Sequence, residues 1–216
     1  QYDLALRSLA AAAERDDYVN KVIVYASVDC LDSTTIDVVK YWEKSMSSVL
    51  RVEYVESYQM RQRETLEQSK KMDERVARHW LSSNNRVFAR GYDNVIYLES
   101  DHVVSPDFFQ SAEALIEFTD AYCPKCFTMN LGCHGNCLGK YKPLTSKTNE
   151  ISIFPIQNIG SIYRRVSWEI FIRNVDMFCD LLGDWDINMH TLLALGIEDI
   201  DQRSPGYTTP RVLHTT

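Results

Sequence analysis

Residues 94–102, NVIYLESDH, combine the pattern of a buried strand with two acidic side chains directly after it. Positions 94–98 are mainly apolar, which is typical of a strand covered on both faces. Glu99 and Asp101 follow at i and i+2. At the carboxyl end of a parallel strand, such a pair can present oxygen ligands to a divalent cation that bridges a diphosphate. Acidic residues also end strands as caps or solvated turns, and Ser105 with Pro106 can begin a helix here. The motif alone leaves both interpretations open.

On both sides of this strand, helical and extended patterns alternate along the chain. Strands that alternate with helices at this spacing predict an α/β fold with a mostly parallel sheet and helices on both faces. Ligands of such sheets bind beyond the carboxyl ends of the strands, so the residues after each strand are the functional candidates. The predicted helices cover residues 4–13, 33 onward, 64–82, 106–122 and 168–182, and the predicted strands cover 22–26, 49–55, 94–98, 127–131 and 151–155.

Length and composition restrict the class of protein. A chain of 216 residues that is 45% hydrophobic can bury a full core, so a single domain is expected. The net charge of −7 argues against a nucleic-acid partner, because a nucleic-acid surface would carry a basic stripe. No apolar run approaches the roughly 18 residues of a membrane-spanning helix. Because the sequence begins at Gln1 in a helical pattern, we expect a fragment shortened at both ends, with any membrane anchor upstream.

Further polar candidates lie near predicted strand and helix ends. Asp29 follows the first strand and can accept a hydrogen bond from a base or ribose, or can simply cap the next turn. Asp184 and Asp186 flank Trp185, and partial desolvation beside the indole would raise an aspartate pKa toward that of a general base. A polar loop with one anchoring aromatic gives the same pattern. His214 ends an apolar triplet and can ligate a metal, or can be merely packed or exposed.

Six cysteines stand at positions 30, 123, 126, 133, 137 and 179. Two close pairs, CPKC at 123–126 and CHGNC at 133–137, together with His134 are compatible with a zinc site. The same spacing is compatible with two local disulfides in an oxidising compartment. The residues themselves leave the choice open.

Taken in order, these motifs resemble the N-acetylglucosaminyltransferase II family of Golgi enzymes, which add β-1,2-linked GlcNAc to the α-1,6-mannose arm of N-glycans. The resemblance implies a GT-A-like, Rossmann-like domain with a mixed, mostly parallel sheet, anchored in the Golgi membrane upstream of this chain. The matching stretches are IYLESDH at 96–102, PDFF at 106–109, CPKC at 123–126, LG at 131–132, NIG at 158–160, DMFC at 176–179, WD at 185–186 and PRVLH at 210–214, with the helix that opens the chain.

The resemblance also implies roles for individual residues. Asp101 and His214 match the positions that hold Mn²⁺, and Asp29 matches a contact to the uridine nucleotide. The Trp-Asp pair makes Asp186 the expected catalytic base, with Asp184 as the alternative because the loop carries an insertion. The reaction implied is a single displacement with inversion, in which a mannose hydroxyl of an N-glycan attacks the sugar of UDP-GlcNAc. The remaining donor-binding positions are Gln68, Ser69, Lys70, Lys71, Met72 and Glu99.

The close cysteine pair of the family is a disulfide, so the resemblance favours a Cys123–Cys126 bond and an oxidising lumen. Other positions depart from the family pattern. Ser100 stands where the family has a carboxylate, and a donor-contacting arginine beyond residue 132 has no counterpart. The first strand of the fold would precede Gln1, so the chain as given is expected to be a poor enzyme. Two alternatives remain: an inverting transferase with another donor or acceptor, and a non-catalytic glycan-binding domain.

Overall fold

A computed structural model of the protein describes residues 1–28, 33–56, 68–132, 151–155, 159–175, 203–207 and 212–214. The helices of this part of the chain are α1 (Tyr2–Arg15), α2 (Ser33–Ser45), α3 (Gln68–Phe88), α4 (Phe108–Tyr122) and α5 (Arg165–Ile172). Its strands are β1 (Ile23–Val28), β2 (Arg51–Glu56), β3 (Asn94–Tyr97), β4 (His102–Val104), β5 (Thr128–Asn130), β6 (Ile151–Pro155), β7 (Ser161–Arg164), β8 (Arg203–Tyr207) and β9 (Val212–His214).

The first half of the chain forms a strand–helix–strand unit. β1 and β2 pair in parallel along their full length, from Ile23 opposite Arg51 to Val28 opposite Glu56. α2 connects them, as the long crossover between parallel strands requires. The Trp42 indole of α2 donates a hydrogen bond to the Asp3 carboxylate of α1 (2.9 Å), which joins this unit to the first helix.

The larger sheet has five strands in the order β3-β7-β5-β8-β6. β5 and β8 pair in parallel, and the other neighbours in this sheet pair antiparallel. β4 and β9 form a separate antiparallel pair. The predicted α/β class and the mixed sheet are confirmed. The sequence does not predict how many strand pairs of the five-stranded sheet are antiparallel. Hydrophobic periodicity indicates that a strand is buried but not the direction of its neighbour.

Some element boundaries differ from the predicted ones for reasons visible in the packing. The helix predicted over residues 64–82 continues to Phe88, although SSNN at 82–85 suggests an end. The Asn84 side chain donates to the Trp80 carbonyl (2.9 Å), and the Asn85 side chain accepts from the Trp168 indole (2.7 Å). Tertiary packing therefore keeps these polar residues in the helix. The strands β4, β7, β8 and β9 are short and were not predicted from the periodicity.

Two buried clusters hold the elements together. One is formed mainly by α1, α2, α4, β1 and β2, and includes fully buried Ala12, Ala13, Val39 and Leu115. The other joins α3, α5, β3 and β7 through aromatic rings. Its buried members are Ala77, Trp80, Phe88, Val95, Phe127, Tyr163, Trp168 and Phe171. No helix in the described part of the chain is long and apolar enough to cross a membrane.

A close backbone crossing ties β5, β7 and β9 together. Leu131 N donates to Gly160 O (2.9 Å), and Gly132 N donates to Ile159 O (3.0 Å). Gly132 also forms a bridge with Val212, the first residue of β9. Gly160 has a φ of +61°, and a Cβ there would lie 2.6 Å from the Val212 Cγ2. Only glycine adopts that backbone conformation without strain and leaves room for β9.

We predict that Gly160→Ala destabilises the fold through two separable effects. The left-handed backbone costs about 1–2 kcal/mol, and the contact with Val212 adds about 1–3 kcal/mol of overpacking. A Val212→Ala background removes the Cγ2 contact, so the cost of Gly160→Ala should fall toward that of the backbone effect. Denaturant unfolding of the two single variants, the double variant and the original chain measures this coupling. Equal costs of Gly160→Ala in both backgrounds would contradict the proposed contact.

Candidate active site

The candidate site is the turn between β3 and β4. β3 is fixed at its other end because the Arg165 guanidinium donates to the carbonyls of Phe88 (2.9 Å) and Tyr92, and Arg165 N donates to Asp93 O (2.7 Å). The chain leaves β3 after Tyr97 and turns at residues 98–101. The strand thus carries the acidic residues to its carboxyl end, where the sequence predicted a ligand site.

Glu99, Asp101 and His102 converge in this turn. One potential ligand atom of each lies within 4.8 Å of the others. Glu99 and Asp101 are half-buried, whereas His102 is buried. Carboxylate oxygens are the donor type that Mg²⁺ and Mn²⁺ prefer, and two carboxylates contribute to this group. The donor set therefore fits the predicted hard divalent cation.

His102 has a different part from the two carboxylates. Its Nδ1 accepts a hydrogen bond from the backbone N–H of Glu99 (3.0 Å), and the backbone N–H of His102 donates to the Glu99 carbonyl (3.1 Å). A neutral imidazole with an acceptor Nδ1 carries its proton on Nε2, which lies 3.9 Å from a Glu99 carboxylate oxygen. This tautomer has no lone pair left for a metal. His102 therefore orients Glu99, a role that sequence reasoning did not assign; a polar residue within an apolar stretch was its one signal.

The strand that contains His214 lies beside this turn. β9 pairs antiparallel with β4, and His214 is the backbone partner of His102, the residue after Asp101. The side chain of His214 lies outside the described part of the structure. The backbone pairing nevertheless brings the two predicted metal-binding positions, 101 and 214, to neighbouring places in the fold although they are far apart in the sequence.

A cavity of about 780 Å³ opens in front of the acidic turn. Glu99, Ser100 and Asp101 line one end of it, together with Val28 at the end of β1 and Thr35 at the start of α2. The carboxyl ends of β1 and β3 thus face the same space, as expected for an α/β fold. The cavity is large enough for a small-molecule ligand.

Two tyrosines close a side of the cavity. The hydroxyl groups of Tyr25 and Tyr92 lie 2.8 Å apart in a hydrogen bond. That hydrogen bond raises the pKa of Tyr92 above its usual value, and burial raises it further. The Tyr92 phenol therefore remains neutral at physiological pH and contributes no charge to the cavity.

The other predicted site residues are described in part or not at all. The segment 68–72 forms the start of α3; its backbone is described, but its side chains are not. Asp29, Asp184 and Asp186 lie outside the described residues, and so do His134 and the cysteines at 30, 133, 137 and 179. Their predicted roles remain predictions.

The expected disulfide is present between Cys123 and Cys126, with a Cα–Cα distance of 5.4 Å. It lies just after α4, whose last turn is closed by a hydrogen bond from Cys123 N to Thr119 O (2.9 Å). The two sulfur atoms are joined covalently, so neither is a free thiolate that could bind zinc. The zinc interpretation is therefore wrong for this cysteine pair.

A family model described as N-acetylglucosaminyltransferase II (MGAT2) matches residues 53–216. The chain belongs to this family. The matched region contains Glu99, Asp101 and the strand that ends at His214, whereas Asp29 precedes it.

Curated relatives of this family member carry one name, alpha-1,6-mannosyl-glycoprotein 2-beta-N-acetylglucosaminyltransferase. The Arabidopsis thaliana protein is 26% identical over 118 residues, which cover 51% of this chain and 26% of the relative. The Homo sapiens protein is 26% identical over 110 residues, covering 47% and 23%. The Sus scrofa protein is 25% identical over 105 residues, again covering 47% and 23%. The aligned part of this chain spans about a quarter of each relative's length.

We predict that the turn tolerates replacement of His102 only by a side chain with a hydrogen-bond acceptor at the position of the His102 Nδ1. His102→Leu leaves the Glu99 N–H without this partner and should cost about 1–3 kcal/mol of stability. His102→Asn is the matched control, because its carbonyl oxygen can occupy a similar place. Denaturant unfolding and the amide exchange rate of Glu99 measure both variants. An unchanged Glu99 exchange rate in His102→Leu would argue against the orienting role.

Proposed function

We propose that this chain is part of the catalytic domain of an inverting glycosyltransferase that transfers GlcNAc from UDP-GlcNAc to a mannose 2-hydroxyl of an N-glycan. The observation that carries the proposal is the pair of carboxylates, Glu99 and Asp101, facing the cavity at the carboxyl end of β3. Family membership supports the transferase class, and the name that the relatives share supports the mannosyl acceptor.

A divalent cation, Mn²⁺ in the proposal, would be held by Asp101 and His214, with Glu99 beside them on the donor side. When bound, the cation would neutralise charge on the departing diphosphate. Two observations support this assignment: the oxygen donors at the turn, and the backbone pairing of His214 with the residue after Asp101. Ser100 lines the cavity between the carboxylates and adds a hydroxyl instead of a third charge.

The protein's own groups would carry the remaining chemistry. Asp186, or Asp184 in its place, would accept the proton of the mannose 2-hydroxyl. The hydroxyl oxygen then forms its bond to the anomeric carbon while the bond from that carbon to the diphosphate oxygen breaks, so the configuration inverts and UDP leaves. Asp29 and the segment 68–72 would hold the nucleotide. Partial desolvation beside Trp185 would raise the pKa of such a base toward the value that this step requires.

The proposed location is the lumen of the Golgi, with the whole chain 1–216 as one GT-A-like domain of a longer, membrane-anchored protein. The disulfide between Cys123 and Cys126 supports an oxidising compartment, because such bonds persist there and are rare in the cytosol.

Binding of UDP to the chain tests the cation site. We expect UDP affinity to increase when MnCl₂ is added, and Asp101→Asn to reduce that increase by about 10–100-fold or more. Asp93→Asn is the matched control, since Asp93 precedes β3 at its opposite end and its side chain is 89% exposed. Titration calorimetry with and without the metal measures both. A UDP affinity that does not change when the metal is added would favour the non-catalytic, glycan-binding alternative.

Turnover tests the donor and the base. With the longer protein proposed above and a mannose-terminated N-glycan, we expect nucleotide release from UDP-GlcNAc and not from UDP-galactose or GDP-mannose. Replacing the base by asparagine should lower kcat by about 10²–10⁴-fold while UDP affinity stays unchanged. Asp186→Asn and Asp184→Asn are each other's controls. Preference for another donor would instead support the related transferase. If both variants kept the kcat of the unsubstituted protein, neither aspartate would be the base.

A further inference from the structure

The helix α1 contains one serine among mostly apolar residues. Alanine occupies positions 5 and 10–13, whereas Ser8 stands in the middle of the helix. Serine is a weaker helix former than alanine, because its hydroxyl competes for backbone hydrogen bonds. The Ser8 hydroxyl is partly buried and donates to the Ala5 carbonyl (2.8 Å). The lower helix propensity is offset by a contact that this hydroxyl makes outside the helix.

That contact is with β4. Val104 N donates a hydrogen bond to the Ser8 Oγ (3.1 Å), so the hydroxyl accepts one bond from the strand and gives one to its own helix. Val104 is buried, and a buried N–H without a partner is costly. Within the described part of the chain, β9 is the strand that pairs with β4. Ser8 therefore holds the edge of β4 that faces away from β9.

The hydrogen bonds of β4 show that its two edges are held by different elements. His102 N donates to the Glu99 carbonyl and Val104 N donates to α1, so both of these N–H groups point away from β9. Hydrogen-bonded and non-hydrogen-bonded pairs alternate along antiparallel strands. Of the three pairs in the described register, Val103 with Leu213 is therefore the one that can exchange backbone hydrogen bonds. Such a short contact leaves the position of β4 to the groups on its outer edge.

β9 has an anchor of its own. Val212 bridges to Gly132 and lies against Gly160, so β9 is attached to the backbone crossing next to β5 and β7. β4 is attached to α1 through Ser8. The two strands are thus held by different elements of the fold, and the bond from β4 to Ser8 helps to determine how they lie against each other.

We propose that Ser8 is a positioning residue of the cation site. The inference rests on the proposed function, in which Asp101 and His214 hold Mn²⁺. Asp101 directly precedes β4 and His214 ends β9, so the separation of these two positions depends on how the strands lie against each other. By holding the outer edge of β4 at Val104, the hydroxyl keeps the two positions adjacent before a cation binds. Groups that orient metal ligands without binding the metal change its affinity by about 10–100-fold.

The test compares Ser8→Ala, which removes the acceptor of the Val104 N–H, with Ser8→Thr, which keeps a hydroxyl. Because alanine is the better helix former, Ser8→Ala keeps α1. Titration calorimetry with UDP, with and without MnCl₂, gives the metal-dependent increase in UDP affinity. We expect Ser8→Ala to reduce this increase about tenfold or more and to leave the metal-free affinity unchanged. Ser8→Thr should retain the increase. A hydroxyl that contributes only to folding stability would not change this ratio in the folded protein.

Thr119→Val is the matched control. Thr119 is a fully buried residue of α4 whose hydroxyl donates to the Leu115 carbonyl (2.7 Å), a bond within a helix like the one that Ser8 makes. Its loss should lower stability without changing the metal-dependent increase. Amide exchange is a second readout, which needs neither nucleotide nor metal. We expect the Val104 N–H to exchange about tenfold faster in Ser8→Ala and at its original rate in Thr119→Val.

The outcomes separate this inference from the proposed function. If the original chain shows no metal-dependent increase, the proposed cation site fails and the role of Ser8 fails with it. If the increase is present and Ser8→Ala retains it, the positioning role alone is overturned. The same conclusion follows if Thr119→Val or Ser8→Thr loses as much of the increase as Ser8→Ala does, since the loss would then not depend on the Ser8 hydroxyl. An unchanged exchange rate of the Val104 N–H in Ser8→Ala would also reject the contact.

Discussion

The antiparallel pairing of β4 with β9 is the constraint on which the candidate site depends. Each strand has three residues, so their own hydrogen bonds are few and neighbouring elements must hold them. On one side, Val104 N donates to the Ser8 hydroxyl of α1 (3.1 Å). On the other, Val212 lies against Gly160 and bridges to Gly132. The region around Asp101 is thereby assembled from the beginning, the middle and the end of the chain.

The two buried clusters hold different elements of the fold in place. The aromatic cluster fixes β3 and β7 through α3 and α5. It therefore determines the position of the acidic turn that follows β3. The other cluster fixes β1, β2 and α1. The cavity lies between the two groups, with its polar lining at the carboxyl ends of the strands and apolar lining along their edges. The space therefore has a polar end suited to a charged ligand.

Within the turn, neighbouring residues differ in burial and in hydrogen bonding. Glu99 and Asp101 remain half-exposed, where a cation can reach them, while His102 is buried and bonded to the Glu99 backbone. The His102 Nε2 lies 3.9 Å from a Glu99 carboxylate oxygen, too far for a hydrogen bond, so the imidazole acts on Glu99 through the backbone bond at Nδ1. Ser100 stands between these two acidic residues, so the turn carries two carboxyl groups and one hydroxyl.

The sequence by itself determined the α/β class, the strand that ends in the acidic motif and most helix positions, because apolar periodicity is a local property of 5 to 15 residues. Family resemblance added the Cys123–Cys126 bond and the candidate roles of residues 101 and 214. Only the tertiary structure decided the pairing of β4 with β9, the continuation of α3 through residues 82–88 and the orienting bond of His102. Each depends on contacts between residues distant in sequence, for which no local pattern exists. The same holds for the meeting of β1 and β3 at one cavity, since periodicity predicts a buried strand without specifying what lies beside it.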